Sequence, residues 1–351
     1  MKKVFILTIS MLLIGYSHMT YAVRVSLLYQ ATLPVSSQLA SERSQLISQG
    51  LSQVLIKVSG DAQVMSNKAI QSSMGSAEQL MQEFSYTSAS GNDSAKPYWL
   101  HMDFDPEGVN RLLRNAGVPV WAQNRPLILV IITYEAQGQQ PDIISTESPT
   151  PILYWLKQEA ELKGLPVIFP VMDVEDMNHL SAQDSINGAL THLTEVEKRY
   201  GCDALLIGRV IQDPTKKYIT QWKFVQGNDQ LDWNRDGNLL QEILQGAVNQ
   251  VTAKLASHYA VVMTNQAHHK LVLNVSGMTE SDDVMQLMDY LKQLTLITDV
   301  QLLKVTGSDV MLSISLRGSK QSFMESVSIE KKLTLDETTP DETVLHFQWN
   351  H

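Results

Sequence analysis

Cysteine occurs once in the 351 residues, as Cys202. No intrachain disulfide can form, so stability has to come from packing whatever the redox state of the surroundings. Basic residues are also in short supply, 27 Lys and Arg against 37 Asp and Glu, for a formal charge of −10. Nucleic acid and anionic lipid are held largely by clustered Lys and Arg, and no basic stripe occurs, so neither is expected as a partner. After residue 22 no apolar run approaches the twenty or so residues of a spanning helix, and no transmembrane segment is expected there. The G-x-S-x-G, H-E-x-x-H, phosphate-loop and dinucleotide signatures are all missing, so no cofactor and no catalytic residue is assigned.

What is present begins with a leader. Lys2 and Lys3 precede the apolar run VFILTISMLLIGY, and Thr20-Tyr21-Ala22 offers small residues at the first and third positions of a signal peptidase site. Residues 1–22 are therefore expected to be a signal peptide cleaved after Ala22, and the protein to be soluble and periplasmic. Cleavage removes two lysines and no acid, which moves the formal charge from −10 to −12.

The most informative stretch runs from Tyr98 to Glu135. Leu100, Met102 and Phe104 alternate with His101, Asp103 and Asp105, the pattern of a strand with one buried face. Asp105-Pro106-Glu107 reads as a helix start, with Asp105 as N-cap and Pro106 where a backbone donor is dispensable. Val109, Leu112, Leu113 and Ala116 give the helix its apolar face, and Gly117 and Pro119 end it. LILVIITYE, 127–135, then suits a central strand covered on both faces.

Around that stretch the chain divides into three expected units. Residues 23–121 form an N-terminal α+β domain: a strand at Val23 to Leu28, a loop through Pro34, a helix with Ile47, Leu51, Val54, Leu55 and Val58 inside, and mostly helix over 61–85. Residues 125–262 alternate strand and helix, which predicts an α/β sandwich with a mixed sheet. It ends with a hairpin at Gln226-Gly227-Asn228 and a long helix from Leu239 to Tyr259. Residues 268–351 carry a β-α-β-β-α-β order, the ferredoxin-like split βαβ pattern.

Four groups of residues could carry chemistry. His101, Asp103 and Asp105 share a strand face and are weak candidates for a divalent metal, set against the plain reading of a wet strand face with Asp105 spent as a cap. Asp232-Trp233-Asn234-Arg235-Asp236-Gly237 matches the first half of a calcium loop, but Ile243 stands where the bidentate acid is needed and Glu242 falls one residue short. A turn and helix cap is the expectation there, with Trp233 exposed as an anchor and Asp232 and Asp236 beside it as candidate binding residues. Cys202 opens an apolar strand without a His partner in reach of the sequence, His192 included, and reads as core. His268-His269 reads as a solvated connector.

The leader, KVSG at 57–60, FDPEGVNRLLRNAGVPVWAQNRPLILV at 104–130 and CDALLIGRV at 202–210 together resemble a proteobacterial envelope family described as a domain of unknown function, DUF2066. The resemblance covers most of the chain beyond the leader and implies no activity. More loosely, the middle unit is similar to periplasmic domains of the Tol system and of lipoproteins that activate penicillin-binding proteins, a likeness of fold that does not transfer function. The expectation is a binding or scaffold protein of the cell envelope whose partner is an envelope protein or a peptidoglycan-associated component. The alternatives are a carboxylate-dependent hydrolase of cell-wall or other periplasmic material, with Asp103, Asp105 or Asp232, and a weak calcium-dependent protein.

Overall fold

The computed structural model describes residues 23–25, 27–89, 95–136, 138–182, 193–263, 269–330, 332–336 and 344–350. The leader 1–22, residues 183–192 with His192, and His268 lie outside them. The class is mixed α/β and α+β, as the residue pattern requires.

The chain opens with a two-residue strand, β1 (Val23–Arg24), and then β2 (Gln30–Val35). A loop was expected through Pro34; instead 30–35 pairs with the Tyr98–Phe104 strand as one edge of a three-stranded sheet. Proline lacks a backbone donor, so an edge strand is where a sheet tolerates it. Helix α1 (Ala40–Ser59) buries Ile47, Leu51, Val54, Leu55 and Val58, and Gly60, at φ 69°, closes it. Short helices α2 (Lys68–Ser73) and α3 (Ala77–Leu80) follow. The helix expected through 85 gives way to β3 (Met81–Ser88), which sets Phe84 and Tyr86 opposite Met102 and Leu100. β4 (Tyr98–Phe104) is the middle strand, and α4 (Pro106–Asn115) starts as the sequence predicts, with Asp105 accepting the N–H groups of Glu107 and Gly108.

β5 (Asn124–Arg125) pairs with β1 and leads into β6 (Ile128–Glu135). β6 runs parallel to β9 (Ala204–Gln212) on one side and, on the other, pairs at its two ends with β8 (Val167–Ile168) and β7 (Asp142–Ile143). The hairpin β10 (Tyr218–Gln226) and β11 (Asp229–Gly237) extends the sheet antiparallel from β9, turning at Gly227 and Asn228. Helices α5 (Pro151–Lys163) and α8 (Leu240–Tyr259) pack together over one face, where Val130, Leu206, Phe224, Leu244 and Val251 meet. The other face holds Leu129, Ile131, Leu205 and Ile207 under Val196 of α7 (Leu193–Tyr200), with α6 (Val174–His179) packed beside α7. β6 is thus covered on both sides.

The last sheet contains β12 (His269–Ser276), β13 (Ile297–Thr306), β14 (Asp309–Leu316), β15 (Leu333–Leu335) and β16 (Val344–Trp349), in the order β13-β14-β12-β16-β15. Helix α9 (Asp283–Gln293) joins β12 to β13 with β14 between them, the split βαβ arrangement. Helix α10 (Lys320–Glu330) leads to β15, a short edge strand that the sequence reading lacked, and β16 turns back parallel to β12. The sheet is therefore mixed. Val310, Leu312, Ile314 and Leu316 are all buried, as strict alternation demands.

One side chain ties the first unit to the second. Arg125 is 0% exposed, and its guanidinium gives all its N–H groups to carbonyls. Nε donates to Ala122 (3.2 Å), Nη1 to Lys163 and Gly164 (2.8 and 3.1 Å), and Nη2 to Lys57 and Trp121 (2.6 and 3.3 Å). Lys57 lies in the last turn of α1, and Lys163 and Gly164 end α5, so the charge meets the carbonyl ends of two helices that have no intrahelical donor left to use. The Trp121 ring lies 4.0 Å beneath it. Burial pushes the guanidinium below its ordinary value, to about 9, which still leaves it charged at neutral pH.

Candidate functional site

The inward face of the N-terminal sheet is filled by Ala31, Leu33, Val35, Leu100, Met102 and Phe104, all buried. Among the described residues its other face is open. Strand register lays that face out as three rows: Pro34, Trp99 and Thr87; Thr32, His101 and Ser85; Gln30, Asp103 and Glu83. The rows grade from an apolar end through hydroxyls and an imidazole to two carboxylates. Trp99 is 37% exposed although flat aromatic surface ordinarily ends up inside. His101 is held from both sides: Nδ1 lies 3.1 Å from the Thr32 hydroxyl and Nε2 2.8 Å from that of Thr87.

That geometry decides where the first group of candidates stands. His101 and Asp103 do share the open face, while Asp105 turns away to cap α4. Both ring nitrogens of His101 are engaged by hydroxyls, so a metal would have to displace Thr32 or Thr87. The arrangement fixes an imidazole in a flat polar surface, which suits recognition better than ligation.

Asp232, Trp233 and Asp236 do not come together. The turn and helix cap expected at 232–237 is instead the second half of β11, and the extended backbone sets Asp232 and Asp236, four residues apart, about 13 Å from each other, too far to close on one ion. Asp232 faces Lys223 at 3.5 Å and Asp236 faces Lys217 at 3.5 Å. Trp233 points to the opposite face, half-buried and stacked at 6.3 Å on Trp222. Trp99, not Trp233, is the exposed tryptophan of the two.

A cleft of about 290 Å³ lies between the central unit and α10, lined in part by Glu197, Cys202, Asp203, Gln226 and Tyr259. It opens beside Pro126 and Cys202, at the amino ends of β6 and β9, whereas α/β sheets hold ligands at the carboxyl ends. Burial, then Glu197 and Asp203, push the Cys202 thiol up to about 12. Burial likewise raises the Tyr259 phenol to about 12. Both stay protonated at neutral pH, and the thiol is no nucleophile. At the start of α9, Glu280, Asp282 and Asp283 bring carboxylate oxygens within 4.8 Å of one another, but Asp283 accepts the N–H groups of Thr279 and Glu280 at 2.7 and 2.6 Å, the work of a helix start.

The strongest charge cluster is structural. Arg199 on α7 meets Asp173 at 2.5 Å and the buried Asp176 at 2.6 Å, and Asp176 also accepts the Tyr200 hydroxyl at 2.5 Å. The Arg199 hydrogen bond holds the Asp173 carboxyl down to about 2. A carboxyl lowered on folding adds stability above its unfolded value near 3.8 and loses it as pH falls toward 2. Stability is thus expected to decline between about pH 4 and 2, and Arg199→Gln should flatten that decline in urea titrations run across the window.

Residues 22–122 match a family described as a domain of unknown function, DUF8605. The open face of Trp99 and His101 lies within the matched segment. A comparison with curated proteins finds no match. Among the described residues no helix is long and apolar enough to cross a membrane.

Proposed function

We propose that this is an exported, periplasmic binding or scaffold protein of the cell envelope, and that the open face of its N-terminal sheet is the surface that engages an envelope protein or a peptidoglycan-associated partner. The observation that carries the reading is the exposed Trp99 on a face that is otherwise flat and polar. An aromatic ring left partly in water, with Pro34 and Thr87 beside it and hydroxyls and acids in the rows beyond, is the composition of a contact site. Asp103 and Glu83 at the far end favour a partner with positive charge there, and Pro34 and Trp99 a partner with an apolar or ring face. The matched segment starts at residue 22, which leaves Lys2, Lys3 and the apolar run after them outside it. Membership of the proteobacterial DUF2066 family, on the motifs quoted above, is part of the same proposal.

The hydrolase alternative finds less support. Asp103 lies on the open face, Asp105 caps a helix and Asp232 sits on the central sheet against Lys223, so these acids do not converge. The test is a photoreactive side chain at position 99 in the living cell, with capture of whatever it joins.

A further inference from the structure

β13 is the edge of the C-terminal sheet, and among the described residues no strand pairs with its outer side. It is ten residues long, and Leu302, Leu303 and Val305 are 44, 51 and 51% exposed. A long edge with apolar side chains in water is a template for another strand unless something refuses the pairing. Two irregularities against β14, at Thr298 and Leu303, shift the alternation. They leave Ile297, Val300, Leu302 and Val305 on the helix-covered face, opposite Leu316, Ile314, Leu312 and Val310, and Asp299, Gln301 and Lys304 on the other.

Read in that order, the strand is complementary to itself. Two copies laid antiparallel about a twofold axis at Gln301 set Asp299 of each against Lys304 of the other. The same register sets Val300 against Leu302 and Ile297 against Val305, both pairs on the helix-covered face. Directly opposed side chains in such a ladder are about 5 Å apart, so two ion pairs and two sets of apolar pairs form together. We propose that β13 is a self-association edge through which two copies of this chain join their five-stranded sheets into one. This goes beyond the envelope-binding reading and uses a different surface.

Bulges and an edge lysine are also the devices that keep sheets apart. Here the lysine has a matching acid at the symmetric position, so it refuses other strands and other registers and admits this one. Within a single copy Asp299 accepts a hydrogen bond from the Gln301 amide at 2.7 Å, a contact that pairing exchanges for an ion pair.

The experiment is sedimentation equilibrium of the purified full chain, its Asp299→Lys and Lys304→Asp variants and the double variant, with circular dichroism to show that each is folded. Each single change puts like charges opposite one another twice and should weaken the dimer about tenfold or more. The double variant should restore it. A monomer up to about 1 mM, the weak end of specific association, would overturn the proposal. So would a dimer indifferent to both single changes, or one that both weaken and the double variant does not restore.

Discussion

Arg125→Met lowers the free energy of unfolding by about 3–5 kcal/mol, the cost of removing one side of a buried charged network. The five carbonyls that the guanidinium satisfies belong to Lys57, Trp121, Ala122, Lys163 and Gly164. Methionine fills similar volume but donates nothing, and with Arg125 fully buried the carbonyls are shut off from bulk solvent. Arg125→Lys should recover only part of the loss, because an ammonium has three donors, not five in a plane, and does not stack on Trp121. Urea unfolding midpoints of the three proteins give the ranking. A loss under about 1 kcal/mol for Arg125→Met, within the range of ordinary surface changes, would mean that the junction is held by something else.

Gly208→Ala is expected to cost about 1–3 kcal/mol by overpacking. A Cβ on Gly208 would stand 2.5, 2.8 and 3.1 Å from three atoms of the Trp222 ring. The ring has nowhere to go. Its Nε1 donates to Thr220 at 2.8 Å, Thr220 in turn donates to the Arg235 carbonyl, and Trp233 is stacked on its far side. The test is a double-mutant cycle: if the clash is the cause, Gly208→Ala combined with Trp222→Leu costs less than the two changes added. Additive losses would place the cost in the β9 backbone.

These two positions mark where local sequence stops being informative. The run Tyr98 to Gly117 was legible because its causes are local: alternation, an Asp-Pro-Glu start, a glycine to finish. The hairpin at Gly227 and the long helix after it were legible for the same reason. Arg125 was not, since its acceptors come from residues 57 and 163–164, and a lone arginine before a proline carries no mark of them. Pro34 concealed β2, because the sequence does not tell an edge strand from a loop. β3 follows helical turns without a Gly or Pro to separate them.

The tryptophans differ in what alternation says of them. Once Leu100, Met102 and Phe104 are taken as buried, alternation sends Trp99 outward with His101 and Asp103. Trp233 drew attention through its acidic neighbours, yet cross-strand pairing with Trp222 takes it to the packed face. The half-motif around it fails as a calcium loop for the same reason: a strand holds its acids apart and matches them with lysines from neighbouring segments.

The most direct test of the account is photocross-linking in cells with a photoreactive residue at position 99 and, as control, at position 219, where Ile219 is 39% exposed on the outer face of the central sheet. The account predicts one reproducible envelope adduct from position 99 and none from the equally exposed position 219 on β10. No adduct from position 99, or the same adducts from both, would contradict it.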